Sequence, residues 1–258
     1  MGAAVSATPD AGPIPDDARS AELAERLAAV RERLEAARHR AGRADDDPTE
    51  LVVVTKFHPL DDVVRLARLG VGEFGENRAQ EASSKAAGLA GDHPDLAAGV
   101  RWHMIGHVQS KKAAGVAGWA DLVHSVDSTR VADGLDRGRA RALVEGARTW
   151  RLPVLLQLSL DGDTARGGVP REGLGELADH VAGLEHLTLA GLMVVPPLEG
   201  EAAAHLADAA AVREHLLAAH PAARWFSAGM SGDLEDAVAA GSTCVRVGTA
   251  ILGPRPVR

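Results

Sequence analysis

The chain has 258 residues, 46% of them hydrophobic, which is enough to bury a large core and is a common size for one α/β barrel. A formal net charge of −8 and the lack of a basic cluster argue against nucleic acid as the main partner. The single cysteine excludes an internal disulfide framework and favours a reducing, cytoplasmic location, and no apolar run approaches the roughly 20 residues that span a membrane.

The first 19 residues are rich in Ala, Pro, Asp and Gly and predict a disordered extension, without the basic start and apolar core of a signal peptide. Ser20 is interpreted as the N-cap of a helix, because apolar residues recur every three or four positions after it. Gly42 is the expected stop, which places the last helical residue near Ala41. We assign residues 20–258 to one domain.

Leu51–Lys56 predicts the first strand. Its first four residues are aliphatic and three of them are β-branched, which is typical of a strand buried on both faces of a parallel sheet. The run ends in Lys56, whose side chain either snorkels to solvent or is desolvated. Desolvation of a lysine favours the neutral, nucleophilic amine.

Strands and helices then alternate to the end of the chain. Further strands are predicted at Glu73–Phe74, Arg101–Ile105, Leu122–Ser125, Val154–Leu158, Leu187–Leu192, Arg224–Phe226 and Thr243–Val247. Helices are predicted at Leu60–Leu69, after Asn77 toward Leu89, and at Thr129–Ala147, Arg171–Leu184, Glu201–Ala219 and Leu234–Ala240. Eight strands, most of them separated by helices, favour an α/β fold that closes into a single (β/α)₈ TIM-like barrel with an extra N-terminal helix.

The lysines of this chain are few. The 28 cationic Lys and Arg side chains include only four lysines, Lys56, Lys85, Lys111 and Lys112. Lys111 and Lys112 lie in a polar stretch and are expected to be solvated. Because the guanidinium of arginine stays protonated, arginine cannot form a Schiff base, and a lysine kept at a strand end favours Lys56 as a nucleophile.

Two motifs in the sequence are better explained by structure than by function. Gly70–Gly75 fits the dinucleotide pattern G-x-G-x-x-G, but it follows a helix, whose C-terminal cap Gly70 is expected to be. His103 and His107 are four residues apart but straddle a strand end and a loop, so we expect hydrogen-bonded structural histidines rather than a zinc pair. No metal site is predicted.

Two loops near the end of the chain favour phosphate. Ser227–Leu234 joins the seventh strand to a helix, and Val245–Gly253 covers the end of the eighth strand and the loop after it. Small and hydroxyl residues at helix starts expose N–H groups that bind phosphate, and in (β/α)₈ enzymes these two loops frequently do so. The alternative is that Ser231 is an ordinary N-cap and Gly248 an ordinary turn residue.

A lysine at a barrel strand end that faces a phosphate cradle provides the minimum set of groups needed to bind pyridoxal 5′-phosphate (PLP). Seven ordered motifs add to this: Thr55-Lys56, Phe74-Gly75-Glu76-Asn77, Trp102 to Ser110, His124 to Ser128, Gly191-Leu192-Met193, Gly229-Met230-Ser231 and Arg246 to Gly253. With them the chain, from about Leu51 to Pro254, resembles the PLP homeostasis protein family. The resemblance implies a fold-type III barrel, which this family shares with the N-terminal domain of alanine racemase.

The resemblance also implies six cofactor-binding residues and no catalytic residue. They are Lys56, Asn77, Ser231, Arg246, Gly248 and Thr249. Lys56 matches the lysine that forms the internal aldimine, and Asn77 matches an asparagine near the cofactor. Arg246 matches the arginine that approaches the pyridine nitrogen, and the other three match phosphate-contacting positions.

The function implied is PLP binding in intracellular PLP homeostasis, by a monomer that buffers the cofactor or delivers it to PLP-dependent apoenzymes without substantial turnover. An arginine at the pyridine nitrogen makes the ring a poorer electron sink. The sequence contains no Tyr to act as a second base, and no second domain is expected after Arg258. Cys244, on the same strand face as Arg246, is a substitute base or, more ordinarily, a small buried hydrophobe.

Two alternative functions stay open at this point. One is a PLP-dependent amino-acid racemase or lyase that uses water or Cys244 as its second base. The other is a barrel that binds a different phosphorylated metabolite without a covalent bond, with Lys56 as a simple countercharge.

Overall fold

The computed structural model describes residues 17–43, 49–163, 167–197 and 199–255. Eight parallel strands, paired in chain order, close into a barrel in which the first strand pairs with the last, and this confirms the predicted (β/α)₈ fold. The strands are β1 (Glu50–Val54), β2 (Glu73–Glu76), β3 (Arg101–Met104), β4 (Leu122–Val126), β5 (Leu152–Leu158), β6 (Leu187–Val194), β7 (Trp225–Ser227) and β8 (Cys244–Val247).

Every connection between consecutive strands contains a helix, and α1 precedes the barrel as predicted. The helices are α1 (Ala18–Arg40), α2 (Leu60–Arg68), α3 (Ala79–Asp92), α4 (Pro94–Ala97), α5 (Ser110–Trp119), α6 (Thr129–Val144), α7 (Leu174–Gly183), α8 (Ala202–Ala219), α9 (Leu234–Ala239) and α10 (Thr249–Leu252). A 3₁₀ turn at Arg171–Gly173 precedes α7, so the predicted helix there is α-helical only from its fourth residue.

The start of α1 corrects two predictions. Its N-cap is Asp17 rather than Ser20, because the Asp17 carboxylate accepts a hydrogen bond of 2.7 Å from the Ser20 N–H. Ser20 itself is buried in the first turn. Ala18 and Arg19 therefore belong to α1 and not to the predicted extension, whose residues 1–16 lie outside the described part of the chain.

Helix α1 packs against the barrel beside the loops after β7 and β8. Its buried apolar side chains are the periodic residues of the sequence, from Leu23 to Ala37. Arg33 pairs with Glu235 at 2.9 Å and donates to the Ser231 carbonyl at 3.4 Å. Helix α1 therefore contacts the Ser227–Leu234 loop, one of the two loops that the sequence predicts to bind phosphate.

The sequence does not predict helix α5, because half of its residues are Ala or Gly and it has no stripe of large apolar residues. Close contact with α6 explains this composition. A Cβ at Gly138 would lie 2.3 Å from the Ala114 carbonyl oxygen, and one at Gly134 would lie 2.8 Å from Ala113 Cβ. Small residues are therefore required on both helices, and the contact that stabilises α5 is not local.

Alternation along the strands sorts side chains between two environments. One set packs outward against the helices in two large apolar clusters, with Val245 and Val247 of β8 among its members. The intervening residues, such as His124 on β4 and both Cys244 and Arg246 on β8, point into the barrel. The barrel interior therefore contains a group of buried polar side chains, and these lead to the site.

Candidate functional site

A cavity of about 490 Å³ opens at the carboxyl end of the barrel. Its volume lies within the range of small-molecule and cofactor sites, about 300–1,000 Å³. All six residues predicted to bind the cofactor line it, namely Lys56, Asn77, Ser231, Arg246, Gly248 and Thr249. Closure of the barrel brings them together, because β1 pairs with β8 and the loops after both strands meet at this end.

Lys56 lies in the turn after β1, two residues beyond the end of the strand that was predicted to reach it. Its side chain lines the cavity, and among the described residues none accepts a hydrogen bond from its amino group. The next residue, Phe57, has a φ of 71°, the one positive φ of a non-glycine residue in the described ranges. Such a conformation costs about 1–3 kcal/mol, so the turn that presents Lys56 is strained.

The loops after β7 and β8 face each other at the cavity. Ser231 and Gly232 line it from the first loop, and Thr249 lines it from the second. The backbone N–H groups of these three residues have no acceptor among the described residues. The loops also touch, because Ser231 Oγ accepts a hydrogen bond of 3.4 Å from the Ala250 N–H. Free N–H groups and two hydroxyls form a cradle suited to an anion, and they matter more than the dipole of the four-residue helix α10.

The alternative in which Ser231 is a helix N-cap is not supported. Helix α9 begins only at Leu234, and its N-cap residue is Asp233. Gly248 is the N-cap residue of α10, and a Cβ there would lie 3.1 Å from the Val54 carbonyl oxygen. Glycine at this position therefore lets the ends of β1 and β8 approach each other beside the cradle.

Arg246 projects from β8 into the barrel and lines the cavity while being only 5% exposed. Its Nη1 donates to Ser227 Oγ at 2.5 Å and its Nη2 donates to the Val194 carbonyl at 2.8 Å. Burial lowers the pKa of the guanidinium from its ordinary value, which lies so far above neutrality that the group stays charged. Arg246 is thus a cation held in one orientation.

A chain of buried hydrogen bonds continues from Arg246 across the barrel. Ser227 Oγ lies 2.8 Å from His124 Nδ1, and His124 Nε2 lies 2.9 Å from His103 Nδ1. His103 Nε2 lies 2.5 Å from the Glu73 carboxylate. An ionised carboxylate only accepts, so His103 Nε2 donates to Glu73. In the neutral tautomer His103 Nδ1 then accepts from His124, and every bond runs in one direction from Arg246 to Glu73.

Two titrating groups in this chain agree with that direction. Burial lowers the pKa of His124 well below its ordinary value, so its ring is neutral and needs only the one N–H that it donates. Burial acts to raise the pKa of Glu73, but the hydrogen bond from His103 and the charge and hydrogen bond of Arg101 outweigh it, and the pKa is lowered. The chain therefore couples the cation at the cavity to a carboxylate at the opposite, amino-terminal end of the strands.

Asn77 follows β2 directly and, like Ile105, lines the cavity. Its backbone lies against Gly106, where a Cβ would be 2.3 Å from the Asn77 carbonyl oxygen. Glycine at 106 therefore sets how closely the loop after β3 approaches Asn77.

Three other sequence predictions can be compared with the structure. Cys244 is fully buried and does not line the cavity, and burial raises the pKa of its thiol to about 12, so it is protonated at neutral pH. His103 is a hydrogen-bonded interior histidine, as predicted, whereas His107 is exposed near Asp127. Gly70, with a φ of 78°, follows α2 and leads into β2, so no phosphate-binding helix begins there. No group of residues suited to a metal ion occurs in the described ranges.

Several cavity residues were not predicted from the sequence. They are Val54, Phe57, His58, Ile105, Val195, Met230, Gly232, Gly253 and Arg255. Met230 and Gly232 lie within the predicted phosphate loop, and His58 is two residues after Lys56, so position alone was a usable signal for these. Arg255, whose guanidinium lies 4.0 Å from the Phe57 ring centroid, had no such signal.

The residues present fit PLP. The cavity offers an amine without a hydrogen-bond acceptor among the described residues for an aldehyde, a cradle of free N–H groups for a phosphate, and the oriented cation Arg246 for a ring nitrogen. No other reactive side chain is needed to account for the three functional ends of that molecule.

Comparison with known proteins agrees with the geometry. Residues 26–256 match the family described as alanine racemase, N-terminal domain. A protein of Mycobacterium tuberculosis (strain ATCC 25618 / H37Rv) named pyridoxal phosphate homeostasis protein is 45% identical over 265 residues, which cover 100% of this chain and 99% of the relative. The protein of the same name from Corynebacterium glutamicum is 49% identical over 208 residues, which cover 80% of this chain and 90% of the relative.

A solved structure gives a further comparison. PipY of Synechococcus elongatus PCC7942, with PLP bound, superposes with a TM-score of 0.71 and 34% sequence identity, over 90% of this chain and 100% of PipY.

Fold and site together define a (β/α)₈ barrel of the alanine racemase N-terminal type, with a cationic cavity at the carboxyl ends of its strands. Within that class, sequence identity to relatives over the whole chain identifies the family. The chain belongs to the pyridoxal phosphate homeostasis protein family. None of the described helices combines the length and hydropathy that a membrane span requires.

Proposed function

We propose that this chain binds pyridoxal 5′-phosphate covalently through Lys56 and buffers or delivers it in PLP homeostasis. The observation that supports this best is the composition of one cavity, where the Lys56 amine, the free N–H groups at Ser231 and Thr249, and Arg246 face the same space. The names of its relatives, and the PLP bound to PipY, support the same function.

Each end of the site has its own task. Lys56 supplies the amine that attaches the cofactor, and the cradle of Ser231, Gly248 and Thr249 binds the phosphate through N–H and hydroxyl donors. Arg246 approaches the ring nitrogen as a donor and a cation, and Asn77 borders the cofactor from the β2 side. The family resemblance implies these roles, and the lining positions and the donors that each residue presents support them.

The same residues favour a carrier over a racemase or lyase. Bound PLP supplies an electrophilic carbon and a ring that withdraws electrons best when its nitrogen is protonated. Arg246, a fixed cation, disfavours that protonation, and a proton on the opposite face needs a second base. The sequence has no Tyr, and the Cys244 thiol is buried, protonated and outside the cavity.

Transfer and turnover assays test the carrier function directly. The loaded protein is mixed with a cofactor-stripped aminotransferase, and recovery of the aminotransferase activity is followed in time. In parallel, the protein alone is assayed for racemisation of alanine and serine. We expect reactivation of the acceptor and negligible racemisation.

One outcome would contradict this proposal, and a second would reduce it to buffering. Rapid racemisation that disappears in Lys56→Ala would make the protein an enzyme. Reactivation no faster than release of free cofactor permits would leave buffering and remove directed delivery. A monomeric state and a cytoplasmic location remain predictions, the second of them from the single cysteine.

A further inference from the structure

A second lysine binds the strained turn that contains Lys56. Lys85, on α3, is buried, and its Nζ donates to the Thr55 carbonyl at 2.8 Å. It also pairs with Glu76 at 2.7 Å and with Glu81 at 2.9 Å. Three acceptors use all three N–H donors of an ammonium, so Lys85 is committed to structure in a way that Lys56 is not.

The two carboxylates bind the same turn from either side of Lys56. The Phe57 N–H donates to Glu81 Oε1 at 2.7 Å, so the residue with positive φ is fixed through its backbone. The Thr55 hydroxyl donates to Glu76 Oε1 at 2.7 Å. The residue before Lys56 and the residue after it are therefore both tied to a cluster organised by one ammonium.

The charges of this cluster explain why it needs a lysine. Burial raises the pKa of Glu76, and Lys85 partly offsets that effect. Burial acts to raise the pKa of Glu81 as well, but hydrogen bonds from Lys85 and from the Phe57 N–H outweigh it, and the pKa is lowered. Without Lys85, Glu76 and Glu81 would lose the cation that bridges them beside the Thr55–Phe57 turn.

We propose that Lys85, acting with Glu81 and Glu76, is a positioning residue that holds the strained Thr55–Phe57 turn and so aims the Lys56 amine into the cavity. This deepens the proposed function and rests on it. Lys56 Nζ forms a C=N bond with the aldehyde carbon, loses two protons, and the aldehyde oxygen leaves as water. Lys85 does not line the cavity, so its effect lies in how fast and how tightly Lys56 attaches.

The test separates attachment from binding. Apoprotein is mixed with PLP and the absorbance of the covalent product is followed. Pyridoxine 5′-phosphate, which has an alcohol in place of the aldehyde, is titrated separately as a probe of the ring pocket and the phosphate cradle. In Lys85→Met we expect attachment to slow about 10- to 100-fold, since a misplacement of about 1 Å can cost 100-fold. Pyridoxine 5′-phosphate should bind within about twofold of wild type, because the cradle lies on other loops.

Glu81 offers a matched pair of variants. Glu81→Gln keeps a carbonyl oxygen that accepts from the Phe57 N–H and should attach the cofactor faster than Glu81→Ala, which keeps none. Lys111→Met, at an exposed lysine on α5, is the control that should leave attachment unchanged.

The outcomes discriminate clearly. Wild-type attachment in Lys85→Met, or equal rates in the two Glu81 variants, would overturn the positioning role while leaving attachment at Lys56 intact. Equal losses of attachment and of pyridoxine 5′-phosphate binding would also overturn it, since they report general damage to the fold. Failure of the wild-type protein to attach PLP at all would instead contradict the proposed function.

Discussion

Lys56 and Arg246 are two cations on one cavity, and their surroundings differ in kind. Arg246 is buried, uses both terminal nitrogens in hydrogen bonds, and heads a chain that ends at Glu73. Lys56 lines the cavity without an acceptor among the described residues, on a strained turn in which the Thr55 carbonyl accepts a hydrogen bond from Lys85. In the proposed function, the group that forms and breaks a bond has a free side chain on a fixed backbone, whereas the side chain of the group that only orients the cofactor is itself fixed.

The largest expected effect comes from the free cation. Lys56→Ala should abolish covalent attachment of PLP, because none of the other three lysines, all within the described ranges, lines the cavity. Its free energy of unfolding should stay within about 0.5 kcal/mol of wild type, as for a side chain without a hydrogen-bond or ion-pair partner among the described residues. Absorbance of the loaded protein and urea unfolding measure the two quantities. Attachment that persists at the wild-type level would show that another amine is used.

The fixed cation should behave in the opposite way. Arg246→Met leaves Ser227 Oγ and the Val194 carbonyl without their donor in a buried place. We expect the free energy of unfolding to fall by about 2–5 kcal/mol, since buried groups lose their partners. Arg151→Met, at an exposed arginine on the outside of the barrel, is the control. A loss no greater than that of the control would refute the fixed role of Arg246.

Substitutions in the phosphate cradle should have a smaller effect than Lys56→Ala, because the cradle binds the cofactor without a covalent bond. Ser231→Ala and Thr249→Ala should each weaken PLP binding by about 1–3 kcal/mol, the range for hydrogen bonds to a charged group. Pyridoxal, which lacks the phosphate, should bind much more weakly than PLP. Thr188→Ala, at an exposed threonine on β6, should change nothing. Equal affinities for pyridoxal and PLP would exclude the cradle.

The smallest effect should be the pH dependence of the histidine chain. Burial places the pKa of His124 well below its ordinary value of 6.5, so the unfolded chain binds a proton at mildly acidic pH that the folded chain does not. Stability is therefore complete above that value and falls as the pH decreases, by at most about 1.4 kcal/mol per pH unit for one proton.

His58, whose pKa is also lowered by burial, has the same sign and adds to the slope. Urea unfolding between about pH 7 and pH 5 measures the slope, and His124→Gln should reduce it. An unchanged slope in that variant would mean that His124 is not the neutral member of the chain that its hydrogen bonds describe.

Much of this site was predictable because its residues stand in strand–loop junctions of a regular barrel. Lys56, Asn77 and Thr249 each follow a strand closely, and alternation of strands with helices places all such junctions at one end. The same regularity predicted the inward face shared by Cys244 and Arg246. The local sequence pattern is therefore enough to predict site residues that lie at the repeated strand–loop junctions of the barrel.

The rest depends on contacts between distant residues. Lys85 reads as a surface lysine of an amphipathic helix, and only packing against Thr55, 30 residues earlier, buries it. The positive φ of Phe57 has no signal in its residue type, because a bulky residue does not favour that conformation. The sequence does not predict helix α5 for the same reason, because its small residues are explained only by close packing against Gly138 of α6.

One measurement tests most directly whether Lys56 is the attachment site. The loaded wild-type protein is reduced with borohydride, digested, and mapped by peptide mass spectrometry. We predict that the pyridoxyl phosphate adduct lies on the peptide that contains Lys56 and that it disappears in Lys56→Ala. An adduct chiefly on Lys85, Lys111 or Lys112, or its survival in Lys56→Ala, would contradict the assignment of Lys56 as the attachment site.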